Sequence, residues 1–130
     1  MSEKQSYTGI NIQWPISKLI LSGEKTIETR TYPIPEKYLN QEMLMIETPG
    51  KKGKFKARIV ALVIFTHCFE YKSKKDFHKD IKRHCVRKNS IWDWNNKKKF
   101  GWSLKIIKIL STPKSLPKRK GIVYTKDLHI

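Results

Sequence analysis

The chain of 130 residues predicts an α+β domain that is mainly β: a small, partly closed barrel of five or six strands with two or three short helices. Three observations lead there. Short apolar stretches with period-two alternation recur along the chain, separated by clusters of Gly, Pro and Asn. Helical patterning is confined to one early and one central stretch, whereas a doubly wound sheet needs a helix after nearly every strand. The length suits one domain, 1–130, able to bury most of its apolar side chains without staples.

In chain order, Ile10 and Ile12 alternate with polar neighbours, the period of a half-buried strand. Pro15 opens a helix where its missing N–H costs nothing; Ile16, Leu19 and Ile20 share one face, and Gly23 supplies a left-handed stop. Thr26, Glu28 and Arg30 then alternate with Ile27 and Thr29, so a strand here shows a Glu and an Arg on one face with Lys25 at its mouth. Tyr32-Pro33-Ile34-Pro35 reads as a turn or extended connector. Met43 to Glu47 is a strand, apolar through Ile46 and so buried on both faces. Thr48 to Gly53 has turn chemistry, and Lys51 and Lys52 make it a basic protrusion.

Phe55 to Phe65 is the longest strand expected, alternating at first and apolar on both faces from Val60. Ser73-Lys74-Lys75-Asp76 has the form of a capping box, and the recurrence of Phe77, Ile81 and Cys85 predicts one helix through about Arg87. Its outer surface would be Lys74, Lys75, Lys79, Lys82, Arg83 and Arg87. Ile91 to Lys99 lacks either periodicity and reads as a loop. Phe100 to Leu110 returns to strand, with an irregularity at Ile106-Ile107 where alternation slips, and Gly121 to Thr125 forms the last strand.

Charge narrows the partner. Lysine and arginine total 28 against 11 acids, a formal net charge of +17, and the excess is uneven: residues 1–50 carry −1 and residues 51–130 carry +18. A field of this size attracts phosphates, so a polyanion is the expected partner, nucleic acid first and an anionic membrane surface second, with Lys51, Lys52, Lys79, Lys82, Arg83, Lys97, Lys98 and Lys99 as phosphate contacts. No apolar run approaches the ~20 residues of a membrane span and the N-terminus has no signal-peptide core, so no membrane insertion and a cytoplasmic location are expected. Cys68 and Cys85 accordingly read as reduced thiols.

No P-loop, dinucleotide fingerprint or nucleophile elbow is present, and no cofactor is expected. His67-Cys68 and His84-Cys85 are poor metal ligands, since adjacent residues of a strand point to opposite faces; a buried thiol beside a rim histidine accounts for them better. Trp102, beside a strand, reads as core. Trp14, Trp92 and Trp94 remain as surfaces on which an unpaired base can stack.

Gly23, Lys25, Glu28 and Arg30 resemble the G-x-K-x-x-E-x-R signature of the ASCH (activating-signal-cointegrator homology) family, preceded, as there, by a strand and a proline-started helix. Phe100-Gly101-Trp102-Ser103-Leu104, a loop through Pro113 and Pro117, and Gly121-Ile122-Val123-Tyr124 are similar to the closing strands of ASCH and related PUA-like domains. The resemblance spans about residues 7 to 125. One departure is that many members have Gln before the proline and Trp after it, where this chain has Trp14 and Ile16.

The resemblance implies a PUA-like pseudo-barrel in which Lys25, Glu28, Arg30 and the Trp92 to Ser103 region meet at a pocket. An amine and a guanidinium beside a carboxylate can hold a phosphate while the carboxylate accepts a proton from a base edge. A lysine in a drying cleft can also lose its proton and act as a base. The expected function is thus a module for RNA or single-stranded nucleic acid, holding a nucleotide among Lys25, Glu28, Arg30, Trp14, Trp92, Trp94 and Ser103.

The alternative is a small RNA-directed hydrolase, a ribonuclease before an acetylcytidine amidohydrolase, with Lys25 and Glu28 as catalytic residues. The resemblance carries this, since in some members the motif lysine is catalytic. In the amidohydrolase branch the third residue after that lysine is a threonine, where this chain has Glu28, and a further acid would have to come from Glu70, Asp76 or Asp80.

Overall fold

A computed structural model describes residues 5–116 and 123–130. Six strands, β1 (Tyr7–Gln13), β2 (Ile27–Arg30), β3 (Glu42–Thr48), β4 (Arg58–Glu70), β5 (Phe100–Ser115) and β6 (Tyr124–Leu128), form one sheet in the order β2-β5-β4-β3-β1-β6. Three short helices, α1 (Ile16–Leu21), α2 (Lys74–Lys79) and α3 (Ile81–His84), and a 3-10 turn at Glu36–Tyr38 complete the described elements. Among the described residues only β1 and β3 pair in parallel, and the chain between them supplies the crossover such a pair needs, carrying α1 and β2. The sheet is mixed and not closed by a backbone ladder. It curls far enough for Arg30 on the β2 edge to donate from Nη2 to the carbonyl of Asn11 on β1 at 3.0 Å.

The core lies on both faces of β3, as its unbroken apolar run predicts. Met43 and Met45 join Ile10, Ile12, Ile20, Val63, Phe65 and Trp102 on one side, and Leu44 and Ile46 join Ile59, Leu62 and Leu128 on the other. Each such side chain contributes ~1.5–3 kcal/mol by leaving water. Trp102 is fully buried and donates from Nε1 to the Tyr32 carbonyl at 3.2 Å, the core role predicted for it.

Several strand ends differ from the periodicity reading. β4 begins at Arg58 and continues to Glu70, because β5 supplies partners as far as the Glu70–Phe100 pair; Phe55 and Ala57 stay outside the ladder. β5 is therefore the longest strand. Ile107 is the predicted irregularity: Val63 faces Ile106 and Leu62 faces Lys108, leaving Ile107 unmatched and 48 % exposed. Pro113, expected in a loop, lies within β5 in a stretch where residues 110–113 stand against Val60 alone, a place where a missing N–H is tolerated. β6 runs on to Leu128; Gly121, Ile122 and Pro117 lie outside the described residues.

The predicted central helix is two helices. Ser73 caps α2 as expected, accepting the Asp76 N–H at 3.1 Å. The chain then breaks at Asp80, whose carboxylate receives the Tyr71 hydroxyl and the Arg83 guanidinium, and α3 ends at Cys85 with φ 59°. This break turns the predicted stripe. Ile81 is exposed and Cys85 half-buried, while His84 goes fully inside and stacks on Phe77 at 4.2 Å between ring centres. The pairing of buried thiol and rim histidine is thus inverted at 84–85, whereas on β4 His67 is exposed beside a half-buried Cys68.

Candidate functional site

A cleft of about 1030 Å³ opens between the β2 edge, the segment leaving α3, the 90–99 loop and the Thr48–Ala57 region. Its entrance to the sheet is set locally. α1 stops at Ser22, and Gly23 at φ 86° turns the chain so that the Lys25 N–H reaches the Leu19 carbonyl at 3.0 Å. Thr26 then donates to Arg83 O at 2.9 Å and accepts from Leu104 N at 3.0 Å, tying the start of β2 to both α3 and β5. Register with β5 places Glu28 opposite Trp102 and Arg30 opposite Phe100, so both charged side chains emerge on one face.

These side chains form a compact charged cluster. Glu28 lies 3.0 Å from Arg30 Nη2 and 3.7 Å from Lys25 Nζ, and Lys25 Nζ also donates to the His84 carbonyl at 2.5 Å. Lys25 is 4 % exposed and Glu28 6 %. Burial pushes the Lys25 amine below its ordinary value against the pull of the Glu28 carboxylate. For Arg30 burial acts in the same direction and is the largest single effect, but Glu28 and Tyr32 together outweigh it and hold the guanidinium above its ordinary value. Arg30 also stands 5.5 Å over the Trp102 ring, which fixes the fork in orientation.

His84 braces this wall from behind. Its Nε2 faces the Phe77 carbonyl at 2.6 Å and so carries the proton, while Nδ1 accepts the Val86 N–H at 2.9 Å. Burial pushes its pKa down, so the ring stays neutral and the Val86 bond survives. Cys85 and Val86 are thereby presented to the cleft.

The loop side carries Trp92 and Lys99. Trp92 is 47 % exposed, and its carbonyl accepts from Lys99 Nζ at 3.2 Å. Lys99 is only 5 % exposed, which separates it from Lys97 and Lys98, its exposed neighbours in sequence; the three lysines do not make one surface. Burial lowers the Lys99 pKa, with Asp93 opposing that effect. Asp93 organises the loop: its carboxylate accepts from the backbone of Asn89 and Trp94 and pairs with His78 at 2.7 Å, which holds its pKa well below the usual carboxylate range.

Of the residues predicted to line the pocket, Lys25, Glu28, Arg30 and Trp92 do so, and Trp14, Trp94 and Ser103 do not. Trp14 packs edge-on against Phe55 at 6.2 Å, Trp94 packs on Phe77, and Ser103 is taken up in the ladder opposite Ile27. Glu70, Asp76 and Asp80 border a separate shallow groove, so none of them supplies a further acid to the cleft. Lys51, Lys52, Lys79, Lys82, Arg83, Lys97 and Lys98 are exposed, with Arg83 engaged by Asp80.

The sequence reading missed Phe55, Lys56, Asn11, Gln13 and Arg87 as lining residues. Phe55 carries a detectable signal only in retrospect. An aromatic two residues after Gly53 reads as strand, yet here Arg58 lies 4.2 Å over its ring, and the Glu47 carboxylate, buried and hydrogen-bonded by Ser17 at 2.5 Å, holds Arg58 at 2.9 Å. Among the described residues of the cleft, Lys25, Arg30, Lys56, Arg87 and Lys99 face a single acid, Glu28, with aromatic surface from Tyr32, Phe55 and Trp92. Among the described residues no group of three His, Cys, Asp or Glu could hold a metal ion, and no helix is long and apolar enough to cross a membrane.

A curled, open six-stranded sheet with a cationic and aromatic cleft at one edge defines a small barrel-like α+β domain. No family model matches the sequence, and no curated protein matches it. Similar solved structures do exist. ASCH from Zymomonas mobilis is 17 % identical over 85 % of this chain and 73 % of that chain, with a TM-score of 0.65. A serine-to-alanine mutant of the same protein, ZmASCH, is 14 % identical over 92 % of this chain and 87 % of that chain, with a TM-score of 0.66. The chain therefore has the ASCH-domain fold, in agreement with the resemblance carried by Gly23, Lys25, Glu28 and Arg30.

Proposed function

We propose that the chain is a nucleic-acid-binding module of the ASCH family that takes RNA or another single strand and holds one nucleotide in the cleft beside Lys25, Glu28 and Arg30. The observation that carries this reading is the convergence of donor, acceptor and aromatic groups in one cavity: an amine, a carboxylate and a guanidinium on one wall and Trp92 on another. A base edge needs a donor and an acceptor side by side, and its face needs an aromatic partner. The exposed lysines from residue 51 onward would supply affinity without sequence preference.

The test is competition among nucleosides and short RNA and DNA strands for the wild type and for Glu28→Gln, below the melting temperature of each. The variant should lose discrimination among bases and keep salt-dependent binding. Equal preferences in the two proteins would remove the nucleotide from this cleft.

A second reading, a small RNA-directed hydrolase, is favoured by the buried Lys25 amine, whose lowered pKa suits a general base. Incubation with total RNA and with acetylated nucleosides should then yield products by mass spectrometry that Lys25→Met does not form. Identical product profiles from the two proteins would exclude it.

A further inference from the structure

The cleft's two polar clusters differ in how completely their charges are met. Lys25 and Arg30 share the Glu28 carboxylate and each has a backbone carbonyl as well, His84 O for the one and Asn11 O for the other. A phosphate brought to that wall would meet the Glu28 carboxylate. Lys99 stands otherwise. The residue is 5 % exposed and lines the cleft, and its ammonium makes no ion pair among the described residues and has the Trp92 carbonyl as its hydrogen-bond acceptor. An ammonium has three donors, and a buried cation is costly when the acid that acts on it, Asp93, is itself paired with His78. A ligand anion would meet both needs.

We propose that Lys99 is the phosphate anchor of the cleft, so that its ligand is a nucleoside phosphate, free or within a strand, and not a bare nucleoside. This rests on the nucleotide reading above and divides the site between its two ends: the base edge meets Lys25, Glu28 and Arg30, and the phosphate meets Lys99. The bond from Lys99 to Trp92 O joins the anchor to the residue on which the base stacks, so phosphate and base are gripped by one loop. Lowering of the Lys99 pKa by burial is relieved when a phosphate arrives, since an adjacent anion favours the charged amine.

Equilibrium binding of the four common ribonucleosides and their 5′- and 3′-monophosphates, with inorganic phosphate as a control, tests this on the full chain. Wild type should bind at least one monophosphate about tenfold or more better than its nucleoside, the scale of a charge-assisted hydrogen bond. Lys99→Met, which keeps the buried stem and removes the cation, should bind the two alike. Lys108→Ala, an equal loss of charge at an exposed position of β5, should keep the preference. Lys99→Gln is the second variant should Lys99→Met not fold, and it carries the same expectation.

If wild type binds nucleoside and monophosphate equally, the anchor is wrong and the nucleotide cleft stands. A preference that survives in both Lys99 variants, or that Lys108→Ala also loses, overturns the assignment to Lys99. Wild type that binds neither nucleoside, nor monophosphate, nor a short strand overturns the anchor together with the nucleotide reading of the cleft. Short RNA strands in the same assay distinguish the source: monophosphates that bind suffice for a free nucleotide site, and a strand that binds where the monophosphates fail assigns the phosphate to a phosphodiester.

Discussion

The β2 wall of the cleft and the outer surface of α2 and α3 carry the same kinds of charge in different surroundings. On the wall, Lys25 and Glu28 are almost fully buried and locked with Arg30 into one geometry. On the helices, Lys74, Lys75, Lys79 and Lys82 are exposed, and only Arg83 is tied down, by Asp80. Desolvation governs the first set, so both cations depend on the one carboxylate they share, and its removal strands the two of them. Screening governs the second, whose charges add to a field that salt weakens. A net charge of +17 therefore describes the outer surface well and the cleft poorly.

The largest break between the two regions should come from Glu28→Gln. Removing the carboxylate leaves Lys25 and Arg30 buried without it, and breaking a buried pair costs about 3–5 kcal/mol, far above the ~0–1 kcal/mol of a surface pair. Denaturant unfolding of this variant beside Arg83→Gln, which breaks the surface pair from its exposed side and keeps the Tyr71–Asp80 bond, measures the contrast; equal losses would place both pairs in one class. Trp92→Ala comes next. It should leave the melting temperature near that of wild type and weaken binding of a short RNA by the ~1–3 kcal/mol of one stacked base.

Proton linkage gives a smaller effect with a defined sign. Burial holds the Lys25 pKa below its ordinary 10.5, so between that lowered value and 10.5 the unfolded chain binds more protons than the folded one, and stability rises with pH across the window. Unfolding free energies of wild type and Lys25→Met, measured from neutral pH to about 10, should thus diverge in favour of wild type as pH rises. A constant difference would mean that the amine titrates alike in both states. The smallest change belongs to the outer lysines. Lys97→Ala with Lys98→Ala should alter stability by less than about 0.5 kcal/mol. It should also flatten the salt dependence of RNA binding by about 0.7 in slope per phosphate contact removed. An unchanged slope would show those two lysines to be a solvated face.

Much of this molecule is written in residues close together in the chain. Strand periodicity placed β1, β2 and β3, Gly23 announced the end of α1, Ser73 announced the start of α2, and the slip at Ile106-Ile107 appears as a bulge in β5. The face shared by Glu28 and Arg30 is of the same kind, since a two-residue repeat is a property of the extended backbone alone. What the tertiary structure decided is which of several equivalent residues is enclosed. Nothing in Lys97-Lys98-Lys99 marks the third as buried; the β5 ladder begins at Phe100, and the 90–99 loop folds back over Lys99. Phe55 leaves the expected strand to become a wall of the cleft, and His84 displaces Ile81 from the inner face because the helix breaks at Asp80. Burial depends on the surface that arrives from elsewhere in the chain, and local patterns carry no record of it.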